Sequence, residues 1–168
     1  MKKMNNNFYQ TPAVVPEELE IQTSTLRLSA KCWGNPEGMP VLAFHGWLDN
    51  AATFDHLAPY LKEFRLVSLD LPGHGLSEHR SSGSSYHFSD IIVDVLEVLH
   101  VLGWQRFSLL GHSMGAGVAS YLAGTIPEKI SSLILIEGLG SLAQKAEKMP
   151  EILRESAEQW QQLPHKKL

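Results

Sequence analysis

The chain has 168 residues, 43% apolar and 19% charged, which is material for one buried core and the size of one domain or part of a larger one. A net charge of −4 with no basic stripe argues against nucleic acid as a partner. The single cysteine, Cys32, excludes an internal disulfide, and no apolar run is long enough to span a bilayer.

The N-terminal "MKKMNNNFYQ" has lysines but no apolar segment behind them. The expectation is therefore a flexible tail over residues 1–17 and a cytoplasmic protein. "LEIQTSTLRLSAKCW" (19–33) predicts two strands around a turn near Thr23 to Thr25. "PVLAFHG" (40–46) is a continuous apolar run closed by glycine, the mark of a strand buried on both faces. "FRLVSLDLPGHG" (64–75) is another strand, followed by a Gly/Pro loop. "SDIIVDVLEVLHVLG" (89–103) is helical, with Ser89 as N-cap and Gly103 as terminator. "RFSLLG" (106–111) is a strand, "MGAGVASYLAGTI" (114–126) a helix rich in small residues and stopped at Pro127, and "ISSLILIEG" (130–138) a strand. Residues 141–163 carry Leu142, Ala146, Met149, Leu153, Ala157 and Trp160 at helical spacing.

Apolar strands alternating with helices predict an α/β fold: a three-layer, mostly parallel sheet with helices on both faces. Sites in such sheets form at the carboxyl ends of the strands. Here those ends read His45-Gly46-Trp47, Asp70 to Gly75, Gly111 to Gly115, and Glu137-Gly138. "GHSMG" (111–115) follows an apolar strand and opens a helix, as a nucleophile elbow requires. Ser113 must then take a strained backbone angle, and Gly111 and Gly115 remove the clashes that would forbid the turn. The pattern alone arises by chance in roughly one chain in twenty, so its place between strand and helix carries the argument. An acyl-transfer site also needs donors for a developing oxyanion. The backbone N–H of Met114 is one candidate, and the N–H of Trp47, after the His45-Gly46 strand ending, is the second.

Together "HGWLDNAATFDHLAPYL", "LDLPGHGLS", "GHSMG" and "LILIEGLG" resemble the α/β-hydrolase fold superfamily, and within it the serine hydrolase-like branch. The four motifs stand in family order, and the resemblance runs from about Leu19 to Gly140. It implies Ser113 as nucleophile, Trp47 and Met114 as oxyanion-hole residues, and His45, Gly46, Gly111 and Gly115 as the supporting turns. It also implies esters, thioesters or similar small acyl compounds as substrates, with no metal or organic cofactor. Some members carry the triad acid after the strand that follows the elbow helix, where this chain has Glu137. A plain strand-end carboxylate in a turn is the competing reading of that residue.

A serine hydroxyl needs a base, and none of the eight histidines is an evident one. His112 adjoins Ser113 and along a strand points to the opposite face. His45 and His74 lie in family motifs as loop-shaping residues. His56 and His100 sit in helices, His79 and His87 in a Ser-rich loop, and His165 near the chain end. By the resemblance, residues 18–140 are the N-terminal part of the hydrolase core, about six strands. Residues 141–168 begin a helical cap, and the base follows later strands not present here. A chain without it is expected to be nearly inert, and its strand at 130–137 to form an exposed edge open to self-association. The alternative is a non-catalytic binding or interaction module on the same scaffold. A nucleotide-binding reading is weak, because no Gly-x-x-x-x-Gly-Lys-[Ser/Thr] precedes "DLPG". A dehalogenase is disfavoured, because its nucleophile would be Asp where this chain has Ser113.

Overall fold

The apolar runs become six strands, β1 (Glu17–Gln22), β2 (Arg27–Gly34), β3 (Pro40–Phe44), β4 (Arg65–Leu69), β5 (Phe107–His112) and β6 (Ile130–Ile136). This is a computed structural model in which residues 15–139, with Lys148, Glu151 and Arg154, are described. Of the expected tail over residues 1–17, residues 1–14 lie outside the described residues and Glu17 already opens β1; of the expected helical run at 141–163, all but Lys148, Glu151 and Arg154 lie outside them. Two α-helices, α1 (Phe88–Leu102) and α2 (Met114–Thr125), stand among the strands.

The sheet order is β1-β2-β4-β3-β5-β6. β1, β2 and β4 pair antiparallel, whereas β4, β3, β5 and β6 run parallel. From β3 the chain first moves to β4 on one side and later to β5 on the other. The strand order therefore reverses at β3, and the crevice at its carboxyl end is where α/β sheets bind ligands. The crossovers β4 to β5 and β5 to β6 run in one direction, so right-handed connection places α1 and α2 on the same face. The β3 to β4 connection runs the other way. It covers the opposite face with two 3₁₀ turns, Ala51–Phe54 and Ala58–Leu61.

The core follows this division. Leu42, Phe44, Phe107 and Leu109 pack with Val95, Val98, Val118 and Leu122 beneath the helices. Val41, Ala43 and Leu110, one step along the same strands, pack with Phe54 and Ala58 under the 3₁₀ turns. Alternate residues thus serve alternate cores, which is why β3 reads as an unbroken apolar run. Burying a side chain such as Phe44 or Phe107 stabilises the fold by about 1.5–3 kcal/mol.

Two local expectations are corrected. α1 begins at Phe88 with His87, not Ser89, in the N-cap position. The cause is Asp90, whose carboxylate accepts the His87 N–H at 3.3 Å and draws the start two residues upstream. His56 stands in a turn between the two 3₁₀ segments rather than in a helix. Gly103 ends α1 as expected, in the left-handed conformation (φ 69°). No helix among the described residues is long and apolar enough to cross a membrane.

Candidate active site

Ser113 is where β5 hands over to α2. Its φ of 51° and ψ of −113° are unusual for a residue with a side chain, and its hydroxyl-bearing side chain is exposed. Hydrogen bonds at both ends of the residue hold the turn. Ser113 N–H donates to the carbonyl of Ile136 on β6 at 2.9 Å, and Ser113 carbonyl accepts from Ala116 N–H at 3.0 Å. Any Cβ at Gly111 would come within 2.6 Å of the Ala116 backbone. A Cβ at Gly115 would stand 2.6 Å from the His45 carbonyl oxygen. Real side chains do not tolerate such approaches, so both glycines are required by the close packing of α2 onto β5 and β3.

Met114 is the first residue of α2, so its N–H has no intrahelical acceptor. Neither it nor Trp47 N–H donates to another acceptor among the described residues. The two donors belong to adjacent strand ends, since β3 pairs with β5 as far as Phe44 opposite Gly111. The Trp47 side chain is 69% exposed and lies edge-on to His74, with ring centroids 6.0 Å apart.

His45 is fully buried beneath this loop. Its Nε2 accepts from Leu71 N–H at 3.1 Å, which leaves the proton on Nδ1 to donate to Gly46 carbonyl at 2.7 Å. Burial pushes its pKa below the ordinary histidine value, so the ring is neutral. It ties the β3 end to the β4 end and is already occupied at both nitrogens.

Asp70 is a site-shaping residue that the sequence reading did not single out. Its buried carboxylate accepts Ala51 N–H at 2.5 Å and Leu76 N–H at 2.8 Å. One side chain thus fastens the loops after β3 and β4. The signal was present in the strand-end Asp before "LPGHG", where a carboxylate can satisfy free loop N–H groups. Further along that loop Arg80 pairs with Asp94 on α1 and lies over the Tyr86 ring. No local pattern marks those partners.

Glu137 follows β6 with φ 54°. Its carboxylate is 80% exposed and lies 3.4 Å from Nε2 of His112. His112 makes no hydrogen bond to Ser113 Oγ, and none of the other described histidines does either. His165 lies outside the described residues. Among the described residues no group of three or more metal-ligating side chains is found.

These features agree with known proteins. The family model described as alpha/beta hydrolase fold matches residues 39–166. A serine hydrolase-like protein from Dictyostelium discoideum is 41% identical over 152 residues, covering 88% of this chain and 41% of that protein. The human serine hydrolase-like protein is 43% identical over 121 residues, covering 71% of this chain and 60% of that protein. The chain therefore spans less than two thirds of the length of these relatives. A crystal structure of a hypothetical protein from Pseudomonas aeruginosa PAO1 superposes with a TM-score of 0.84 at 50% identity, over 90% of this chain and 54% of that one. The thioesterase domain from the curacin biosynthetic pathway superposes at 0.78 and 31% identity, over 90% of this chain and 56% of that one. From its parallel sheet, its strained Ser113 between two obligatory glycines, and these matches, the chain belongs to the α/β-hydrolase fold family and groups with its serine hydrolase-like members.

Proposed function

We propose that this chain carries the nucleophile and oxyanion donors of a serine-type hydrolase acting on esters, thioesters or similar small acyl compounds. Ser113 Oγ attacks the acyl carbonyl carbon while a base takes its proton. The N–H groups of Met114 and Trp47 hold the resulting oxyanion. The tetrahedral adduct expels the alcohol or thiol with that proton, and water then releases the acid from Ser113. The observation that carries this reading is the exposed Ser113 in its strained elbow, next to the unengaged N–H of Met114. Each oxyanion donor is typically worth about 10²–10³ in rate. The name of the curacin thioesterase domain supports the acyl class, and the names of the serine hydrolase-like relatives support serine-dependent hydrolysis. By the resemblance Glu137 is a triad-acid candidate.

We place the base in the part of the relatives' length that this chain does not span, because His45 is occupied at both nitrogens and His112 faces Glu137. Absence of the base in a Ser–His unit costs about 10⁶ in turnover. The chain alone is then expected to acylate slowly, with imidazole in solution supplying the missing function.

The test is intact-mass analysis after treatment with a fluorophosphonate, with and without imidazole. A single adduct at Ser113, accelerated by imidazole and absent in Ser113→Ala, is the expected result. A folded chain that takes no adduct at any imidazole concentration overturns the proposal. In that case the second reading, a non-catalytic module, is preferred; the observation behind it is that no described histidine hydrogen-bonds Ser113 Oγ. Such a module would still bind an acyl ester reversibly.

A further inference from the structure

Among the described residues only three non-glycine residues have a positive φ: Leu48, Ser113 and Glu137. All three follow the carboxyl ends of the parallel strands β3, β5 and β6. Backbone strain collected at one edge points to function when the surroundings enforce it. The elbow accounts for Ser113. Glu137 needs its own explanation.

The chain at Glu137 turns because Gly138 passes close over the start of α2. A Cβ at Gly138 would lie 2.8 Å from Ser113 carbonyl oxygen and 2.9 Å from Ala116 Cβ. The turn brings the Glu137 carboxylate to Nε2 of His112 at 3.4 Å, so Nε2–H donates and the carboxylate accepts. The other end of that ring is buried. Nδ1 of His112 has no solvent access and no hydrogen-bond partner. Against it stands Gly46: a side chain starting there would meet Nδ1 at 3.1 Å, Cε1 at 3.4 Å and Ser113 Cβ at 3.5 Å. The imidazole is thus the floor on which the Gly46–Trp47 loop rests. Its one polar tether among the described residues is Glu137.

We infer that Glu137 is a positioning residue, acting through the His112 ring to hold the Gly46–Trp47 backbone, and with it the Trp47 N–H, over the Ser113 hydroxyl. A ring turned about its Cβ–Cγ bond would press a different edge against Gly46, which has no side chain to absorb the change. The His112–Glu137 contact is solvent-exposed on the glutamate side, so its loss alters geometry more than stability. This inference rests on Trp47 N–H being an oxyanion donor. It requires from Glu137 a hydrogen-bond acceptor, whereas a triad acid must supply a negative charge.

The experiment compares Glu137→Ala and Glu137→Gln by ¹⁵N–¹H correlation spectra of the full chain. The Ala variant is expected to displace the Gly46 and Trp47 amide signals and the His112 ring signals, with Ser24 and Gly103 unmoved. The Gln variant restores them, because its amide oxygen still accepts from Nε2–H. In a His112→Phe background Glu137→Ala should add no further shift at Gly46 or Trp47. Unmoved Gly46 and Trp47 signals in Glu137→Ala, or a full further shift in the His112→Phe background, overturn the inference. Imidazole-assisted acylation of Ser113 by a p-nitrophenyl ester supplies the second measurement. A roughly tenfold lower acylation rate in Glu137→Ala at unchanged ester affinity, recovered to within about twofold in Glu137→Gln, supports positioning. Equal losses in Gln and Ala overturn it in favour of the triad acid. If Ser113 takes no acyl group in the parent chain while the amide shifts follow the expected pattern, the oxyanion assignment falls and the packing relationship stands.

Discussion

The carbonyl oxygen of His45 lies 2.6 Å from where a Cβ on Gly115 would stand. The second residue of α2 is therefore pressed directly on the end of β3, with no side chain between. This contact brings the residue before Gly115 and the residue two after His45 to one edge. Those are Met114 and Trp47, the two proposed oxyanion donors.

Gly115→Ala is expected to destabilise the protein by about 3 kcal/mol, at the upper end of overpacking costs. Backbone atoms of Phe44 and His45 are what the new methyl meets, and they cannot rotate aside. Chemical denaturation of this variant beside Gly124→Ala checks it. Gly124 has nothing within contact range, and helix propensity makes its substitution neutral to stabilising.

Ser113→Gly should separate stability from chemistry. Removing the Cβ relieves the left-handed strain at φ 51° and is expected to stabilise by about 1 kcal/mol. The same variant loses all fluorophosphonate modification. A drop in thermal stability would show that Ser113 is held by interactions stronger than its strain.

His45 makes stability pH-dependent. Burial is the main cause that lowers its folded pKa below the ordinary 6.5. As pH falls through that ordinary value, the unfolded chain binds the proton before the folded one does. Its contribution is complete above the unfolded pKa and is lost as pH falls toward the folded value. Melting temperature should thus decline as pH falls below about 7.5, and His45→Ala should flatten that decline. The variant is also expected to cost about 1–3 kcal/mol at neutral pH, because Leu71 N–H loses its acceptor.

The Arg80–Asp94 pair fastens the loop after β4 to α1, with side chains 15% and 6% exposed. Arg80→Ala leaves the Asp94 carboxylate buried and unpaired, which is expected to cost about 3 kcal/mol near neutral pH. Burial already raises the Asp94 pKa above 3.8, with Arg80 opposing the rise. The folded state therefore binds this proton more readily than the unfolded one, a contribution present at low pH and lost as pH rises through the folded pKa. Without the guanidinium that pKa climbs further. The penalty of Arg80→Ala should shrink as pH falls, which denaturation curves at two pH values will read.

On the edge strand β6, Leu133, Ile134 and Ile136 are exposed, and among the described residues β6 pairs with β5 alone. Self-association through this edge is expected to make the apparent mass rise with concentration. Ile134→Lys should suppress that rise, as measured by light scattering, while changing stability by less than about 1 kcal/mol.

The sequence by itself determined the strands and the elbow. Residues 41–44 are apolar without alternation, and Phe107, Leu109 and Leu110 depart from that only at Ser108, because both faces of those strands are buried, and period and composition record that locally. The paired glycines around Ser113 record an equally local requirement, a tight turn from strand to helix. Only the tertiary structure decided what the remaining polar groups do. His45 and Asp70 are partners of Leu71, Ala51 and Leu76 through contacts between separate loops, and Arg80 finds Asp94 only when α1 packs. Ser89 fails as N-cap, although cap propensity favours serine, because a carboxylate at Asp90 offers the His87 N–H an acceptor. Glu137 reads as a strand-end acid in sequence. Its contact with His112, and through that ring with Gly46, exists because β3, β5 and β6 end side by side, and side-by-side placement of strands is not written in any one of them.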